Sequence, residues 1–190
     1  MDQPFLFPLD DKWDGIFSFL DSSINLPLTQ YHRLLLSGGG TLTNALYAIL
    51  GSPVYIEVIS QNTIEADQRQ TMYLELKQSE KGLLREIWII NEKGEKLVYA
   101  NSFLPINGLN STLHEAILSK KYSLGDLIEK MKIPSFKDKF GFGTLRSNFL
   151  CDNFQASENS MLWYRHFRLS APQYLLASIY EVFSPKLFNL

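Results

Sequence analysis

Two charged residues lie inside segments that otherwise have the composition of buried β-strands. Arg85 lies in the run Leu83 to Ile90, and Glu181 lies in the run Tyr174 to Phe183. Burying an uncompensated ion costs several kcal/mol, so a charge in such a place is either paired or functional. A cation and a carboxylate that face a shared interior could hold a small anion at one end and handle a proton or a hydroxyl at the other.

The alternation of side chains along a strand gives each charge a face. Arg85 shares its face with apolar residues, whereas Glu86 lies on the opposite side, so one of the two is expected to face solvent. If the Arg85 face is inward, a bidentate contact with a ligand carboxylate is its natural use. The alternative is an arginine on the exposed side of a two-sided strand.

Glu181 shares its face with Ile179 and Phe183. Desolvation of a carboxylate there would favour its protonated form, which suits a general acid or base, or a hydrogen-bond partner for a hydroxyl. The alternative is a salt bridge across the hairpin to Arg165 or Arg168. These two arginines fall on opposite faces of their strand, so they cannot both point inward.

A glycine-rich turn offers a third candidate feature. The residues Gly38-Gly39-Gly40-Thr41 precede a predicted helix, and exposed N–H groups at a helix N-terminus can cradle an anion. The turn lacks the Lys-Ser/Thr of a P-loop, so it gives little support to nucleotide binding. A flexible interhelical turn is the other interpretation.

Composition excludes several classes of function. A chain of 190 residues that is 45% hydrophobic can bury the core of one domain, and its 18 basic residues are scattered, with no stripe for nucleic acid. A single cysteine, Cys151, allows no internal disulfide or cysteine metal cluster and indicates a reducing compartment. No secretory signal and no membrane span are predicted, and monomer and dimer both stay open. The histidines are too far apart in sequence for a zinc motif: His32, His114 and His166.

The elements that must position these residues follow from periodicity and from start and stop signals. Helices are predicted over residues 14–22, 28–36, 41–50, 110–121 and 123–133, with Thr41 or Thr43 and Ser123 as caps. Strands are predicted over 54–59, 71–76, 83–90, 96–104, 161–169 and 174–183. Because most strands form sequential hairpins, we expect an α+β domain with a single antiparallel sheet and helices packed against it.

Four segments together are similar to a known family. The run LLLSGGGTLT from Leu34 to Thr43, followed by GSPVYIE from Gly51 to Glu57, resembles the first motif of the chorismate–pyruvate lyase family, including its cyanobacterial and plastid-encoded branch. Three more segments keep that family's order and resemble its central hairpin, its "PLG" helix start and its closing hairpin. They are LREI from Leu84 with VYANS from Val98 and Pro105, SLGDL from Ser123, and LWYR from Leu162 through EVFSP from Glu181.

The resemblance implies a site. The arginine of the "LRE" strand, which binds the substrate carboxylate, corresponds to Arg85, and the glutamate that meets the ring hydroxyl corresponds to Glu181. Backbone N–H groups near Leu42 and Leu124 complete substrate binding. Two positions depart from the family pattern: Gly39 replaces an acidic residue, and Ser123 replaces the proline of "PLG".

The resemblance also implies an activity. The chain would be one chorismate lyase-like domain, residues 1–190 with 1–27 as an N-terminal extension, and a carbon–oxygen lyase that converts chorismate to 4-hydroxybenzoate and pyruvate. No metal and no redox cofactor are required. The product would feed plastoquinone or ubiquinone biosynthesis, in the cytoplasm or the plastid stroma. The alternative is a non-catalytic sensor of small aromatic acids with the same fold, for which residues 1–27 are too short to be a winged helix.

Overall fold

One antiparallel sheet organises the protein. The computed structural model describes residues 11–109, 111–172 and 175–188, and its seven strands run in the order β1-β5-β6-β7-β4-β3-β2. The strands are β1 Trp13–Asp14, β2 Val54–Glu65, β3 Lys81–Asn91, β4 Lys96–Pro105, β5 Phe136–Leu145, β6 Leu162–Ala171 and β7 Leu175–Phe183. The prediction of an α+β fold with a single antiparallel sheet is confirmed.

Helices connect the strands and cover the sheet. They are α1 Ile16–Ser23, α2 Gln30–Ser37, α3 Leu42–Leu50, α4 Gln68–Leu74, α5 Ser111–Leu118, α6 Leu124–Lys130 and α7 Asn148–Phe154. Short 3₁₀ turns span Ile106–Gly108 and Pro185–Phe188. The helices therefore pack around one continuous sheet. This sheet contains both the first strand of the chain, β1, and the last, β7.

Local sequence signals explain where the two helices nearest the centre of the sheet begin and end. The Ser123 hydroxyl accepts from the Asp126 N–H while the Asp126 carboxylate accepts from the Ser123 N–H, so the predicted capping box of α6 is confirmed. Helix α3 ends at Gly51, whose φ of 67° lies in the left-handed region that glycine adopts without strain. Thr41 is the N-cap of α3, but its side chain makes no capping bond.

The strand predicted over residues 71–76 is wrong, because residues 71–74 lie in α4 and no strand covers residues 75 and 76. Asp67 caps that helix by accepting from the Gln70 N–H, and the Gln70 side chain accepts from the Asp67 N–H. The Asp-x-x-Gln start signal was present in the sequence and outweighs the alternation that followed it. Strand β5 and helix α7 were not predicted at all.

The sheet separates two apolar cores. Along β3, Leu83, Ile87 and Ile89 pack into the larger core beneath the helices, whereas Trp88 packs into a smaller core on the other face. The alternation predicted for this strand is therefore confirmed. The smaller core lies beneath α7 and contains Trp88, Tyr99, Leu150, Cys151, Phe154, Leu162, Tyr164, Tyr180 and Val182.

Residues 11–27, which belong to the segment predicted as an extension, contribute to the larger core. Trp13 stacks on Trp163 with ring centroids 5.7 Å apart, and Phe19 stacks on Phe142 at 4.4 Å. Both Trp13 and Phe19 are buried. Strand β1 therefore lies at one edge of the sheet, beside β5, and α1 packs on the strands next to it.

Gly82 on β3 is a sensitive test of this packing. A Cβ at residue 82 would lie 2.1 Å from the Phe103 ring, so we expect Gly82→Ala to lower the free energy of unfolding by about 1–3 kcal/mol through overpacking. Gly39→Ala is the matched control, because a Cβ there meets no atom within 4 Å. Urea unfolding of both variants checks the prediction, and equal stability would show that the Phe103 ring moves freely.

Candidate ligand site

A cavity of about 260 Å³ lies between the centre of the sheet and the N-terminal ends of α3 and α6. Its floor is the inward face of β3, β4, β7, β6 and β5. The floor is formed by Arg85, Ile87, Ile89, Ala100, Ser102, Ile179, Glu181, Phe167, Leu169 and Lys137. Such a volume, mostly apolar with a few charged groups, fits a small ring-shaped ligand with polar substituents.

Side-chain hydrogen bonds hold the two helix ends over this floor. The Thr43 hydroxyl donates to the Asp126 carboxylate at 2.6 Å, and Thr41 and Asn44 both donate to Glu129 at 3.0 and 2.8 Å. These bonds connect the start of α3 to α6. The roof of the cavity is therefore a linked pair of helix ends.

The two backbone positions predicted for substrate binding meet in this roof. Leu42 is the first residue of α3, Leu124 is the first residue of α6, and both line the cavity. The N–H groups of a helix's first turn have no carbonyl partner within their own helix. The structure thus brings together Leu42, Leu124, Arg85 and Glu181 around one space.

Arg85 is buried, with 2% of its surface exposed, and it faces the cavity. Its Nη2 donates to the Tyr122 carbonyl at 2.8 Å, and its Nε has no hydrogen-bond partner within the described part of the chain. Burial lowers the pKa of Arg85 to about 10, so the guanidinium stays charged at neutral pH. Among the described residues no carboxylate pairs with it, which leaves a buried cation that an anionic ligand would stabilise.

Glu86 does not face solvent, although the alternation of side chains suggested that it would once Arg85 faced inward. Its carboxylate is partly buried on the other face of the sheet, where Ser60 donates to it at 2.5 Å and the Tyr99 hydroxyl also donates to it. The opposite face of β3 is covered by the smaller core, so both faces of this strand are inside the protein. Of the two orientations that sequence analysis left open for Arg85, the inward one is found.

Glu181 is paired. The Nε of Arg165 donates to Oε2 of Glu181 at 2.5 Å, and the two residues lie directly opposite each other on β6 and β7. The cross-hairpin salt bridge that sequence analysis left open is therefore formed, and Arg165 is the partner. Arg168 points to the other face and pairs with Asp138 at 2.6 Å. Within the described residues, Oε1 of Glu181 accepts no hydrogen bond, so one carboxylate oxygen is available to a ligand.

Lys137 is a functional candidate that sequence analysis did not identify. It lines the cavity, its Nζ donates to the Gly40 carbonyl at 2.8 Å, and Nζ lies 4.7 Å from the centre of the Phe167 ring. Burial is the main cause that lowers the pKa of Lys137 to about 8; Glu181 opposes the shift and Arg165 adds to it. The sequence offered no clear signal, because Lys137 lies in β5, which was not predicted, within a run of surface-like lysines.

The charges of the cavity do not balance. Arg165 and Glu181 neutralise each other, whereas Arg85 and Lys137 have no carboxylate partner within salt-bridge distance among the residues described. The floor between these charges is mostly apolar, with Ser102 beside Arg85. In residues 11–109, 111–172 and 175–188, no group of three His, Cys, Asp or Glu side chains is placed to hold a metal ion. The site therefore favours an organic anion with a flat apolar body.

The fold is shared with solved structures of low sequence identity. PhnF from Mycobacterium smegmatis is similar with a TM-score of 0.62 and 13% identity, over 80% of this chain and 66% of that one. The effector domain of the same protein gives 0.58 and 12% identity, over 77% and 90% of the two chains. The C-terminal domain of the histidine utilization repressor from Pseudomonas syringae gives 0.55 and 10%, over 72% and 95%.

Sequence similarity is more specific. Residues 36–190 match the family described as chorismate pyruvate-lyase Rv2949c-like, and the chain belongs to that family. A curated relative, the uncharacterized protein ycf21 of Cyanophora paradoxa, is 22% identical over 158 residues, which are 83% of this chain and 79% of the relative. The resemblance read from the four motifs is confirmed. No helix in the described ranges is long and apolar enough to cross a membrane.

The Arg165–Glu181 pair generates a stability prediction. Arg165→Met leaves the Glu181 carboxylate buried and unpaired, so we expect the free energy of unfolding to fall by about 3–5 kcal/mol. Replacing both partners, with Arg165→Met and Glu181→Leu, should recover the part of that loss that comes from the uncompensated charge, but not the part that comes from the carbonyls of Leu35, Leu36 and Gly38, which lose the Arg165 donor in both variants. Urea unfolding measures both values. A loss below about 1 kcal/mol in the single variant would contradict the pairing.

Proposed function

We propose that this protein is a chorismate lyase, which converts chorismate to 4-hydroxybenzoate and pyruvate. The observation that carries the proposal is the buried Arg85, which has no carboxylate partner among the described residues and faces a ring-sized cavity that also contains the Glu181 carboxylate. Membership of a family described as chorismate pyruvate-lyase-like supports it. In this proposal residues 1–190 act as one domain.

The reaction defines what the site must do. Chorismate loses its enolpyruvyl group from ring carbon C3 and a proton from C4, and the ring becomes aromatic. A clamp for the ring carboxylate, a base near C4 and a site that excludes water are sufficient, because aromatisation supplies the driving force. Neither a metal ion nor a redox carrier is part of this elimination.

Arg85 would fix the ring carboxylate. Its guanidinium can donate two parallel hydrogen bonds, and these are strong in a site from which water is excluded. The ligand's negative charge would also compensate the guanidinium and could satisfy the Nε that has no partner within the described chain. Substrate binding would therefore remove the free-energy cost of a buried guanidinium that lacks a negative partner.

Glu181 would meet the other end of the ring. It lies two strands from Arg85 and one row along the sheet, which places their Cα atoms about 12 Å apart at usual strand spacings. With one carboxylate oxygen paired to Arg165, Glu181 would use the other as a hydrogen-bond acceptor for the 4-hydroxyl and as the base for the C4 proton. The N–H groups of Leu42 and Leu124 would bind the remaining polar atoms of the substrate from above.

The proposed product suggests a use. 4-Hydroxybenzoate is a precursor of quinones, and the similarity to a protein of Cyanophora paradoxa supports a role in plastoquinone biosynthesis, in a cyanobacterial cytoplasm or a plastid stroma. Ubiquinone biosynthesis is the other pathway that would use this product.

The structural neighbours favour a second candidate function. Two of them are a regulator's effector domain and a repressor's C-terminal domain, and their fold is that of this chain. A protein of this fold could bind an aromatic acid through Arg85 without transforming it. In that case binding of 4-hydroxybenzoate would be retained and turnover would be absent.

Turnover of chorismate tests the proposal. We expect the wild-type protein to release 4-hydroxybenzoate and pyruvate in equal amounts, and Arg85→Ala to lower kcat/KM about 1,000-fold, which is the loss of two charge-assisted hydrogen bonds. Glu181→Gln should lower kcat because it removes the base. Glu86→Gln is the control on the same strand, since its side chain faces the opposite core. Chromatography of both products gives the rates.

The outcomes separate the candidates. Full activity in Arg85→Ala would overturn the assignment of the carboxylate clamp. Absence of turnover together with tight binding of 4-hydroxybenzoate by the wild-type protein would replace the lyase with the sensor.

A further inference from the structure

We propose that Lys137 is the second anion-binding group of the cavity and makes the site selective for aromatic or diene acids with a second carboxylate on an ether branch. In the same proposal, the ammonium group of Lys137 protonates the departing ether oxygen. This inference rests on the proposed function, since chorismate has such a branch. It adds a catalytic residue that sequence analysis did not identify.

The sheet places the two free cations on opposite sides of Glu181. Arg85 lies on β3, Glu181 on β7 and Lys137 on β5, so the strand of each cation is two strand spacings from the strand of Glu181. Four strand spacings of about 4.8 Å put the Cα atoms of Arg85 and Lys137 about 19 Å apart. Side chains from both ends therefore reach toward a ligand that lies over the central strand.

The Lys137 side chain is directed toward Arg85. Register pairs Lys137 with Leu169, whereas Phe167, two residues along β6, lies in the row that contains Arg85. The Nζ atom lies over the Phe167 ring, one strand closer to the centre than its own backbone. Its charge thus faces the ligand space from the side opposite to the guanidinium.

Lys137 has donors to spare. An ammonium group has three N–H bonds, and one of them goes to the Gly40 carbonyl. No carboxylate in the described part of the chain lies within salt-bridge distance of Nζ, because the nearby Glu181 is engaged with Arg165. A half-buried ammonium with further donors is a site for a carboxylate, and the pKa of about 8, lowered mainly by desolvation, agrees with a charge that lacks such a partner.

The proposed step balances. The enolpyruvyl carboxylate binds Lys137 while the C3–O bond breaks and its electron pair goes to the oxygen. Lys137 donates a proton to that oxygen, Glu181 takes the C4 proton, and the C4–H electron pair completes the aromatic ring. The enolpyruvate released then becomes pyruvate by ketonisation. A proton moved from Glu181 to Lys137 resets the site.

A structural role makes a different prediction. Lys137 also holds the glycine turn through Gly40, and loss of that bond alone would disturb the whole roof. Every ligand would then bind more weakly. The direct role predicts a loss only for ligands that have the second carboxylate.

Binding by calorimetry distinguishes the two roles. The ligands are 4-hydroxybenzoate, with one carboxylate, and 3-(carboxymethoxy)-4-hydroxybenzoate, a stable aromatic acid that has the ether branch. We expect Lys137→Met to weaken the dicarboxylate about 30-fold and 4-hydroxybenzoate less than about twofold, the cost of one charge-assisted hydrogen bond. Lys137→Arg should restore most of the preference, and Lys139→Met, whose side chain pairs with Glu75, should change neither ligand.

The pH dependence gives a second readout. The charged groups around Lys137 are Arg165 on β6, Glu181 on β7, and Glu129 and Lys132 on the helical side of the cavity. Because the ammonium loses its charge as the pH rises through about 8, the wild-type preference for the dicarboxylate should fall above that pH. The same preference should be small and independent of pH in Lys137→Met.

Failure of this inference is distinct from failure of the lyase. Equal weakening of both ligands in Lys137→Met, or no weakening of either, overturns the role of Lys137 even if the wild-type protein turns over chorismate. Selective loss of the dicarboxylate supports the anion site even if turnover is absent, and proton donation is then excluded along with the lyase.

Discussion

The ion pair between Arg165 and Glu181 is the interaction on which the site depends. Arg165 is 1% exposed, and its Nη1 lies 2.9, 2.8 and 3.2 Å from the carbonyl oxygens of Leu35, Leu36 and Gly38. These carbonyls end α2, where a helix has unsatisfied acceptors and partial negative charge. One buried guanidinium therefore joins β6, β7 and the start of the glycine turn, and the turn leads directly into α3 above the cavity.

The pair also sets the charge of the cavity. Because Glu181 is paired with Arg165 across the hairpin, it forms no salt bridge with Arg85 or Lys137 in the described part of the chain. The two remaining cations enter from β3 and β5, at opposite ends of a mostly apolar floor. An empty site with this arrangement is costly, and an anion with two carboxylates would relieve it. Under the proposed function, stability and ligand preference would thus have a common origin in one buried arginine.

The fold alone does not distinguish binding from chemistry. The effector domain of PhnF has a similar fold with 12% identity, so the sheet and its helical roof are compatible with a binding role. A lyase needs a base and a proton donor near the bond that breaks. Glu181 and Lys137, the residues proposed for these two roles, lie in the same cavity. A site that only binds a ligand needs neither a base nor a proton donor. Their chemistry is therefore where the two functions would diverge.

Sequence by itself determined the features that depend on near neighbours. A period of two along a strand puts Arg85 on the face of Ile87 and Ile89, and Glu181 on the face of Ile179, and the start of α6 follows from Ser123 and Asp126 three residues apart. The motifs that resemble the family also lie in continuous runs. Tertiary structure alone decided which alternative held for Glu181, because its partner depends on the register between β6 and β7. It likewise placed Lys137 in the site, since β5 joins the sheet through non-local pairing with β6, and no local pattern records which strand will lie beside another.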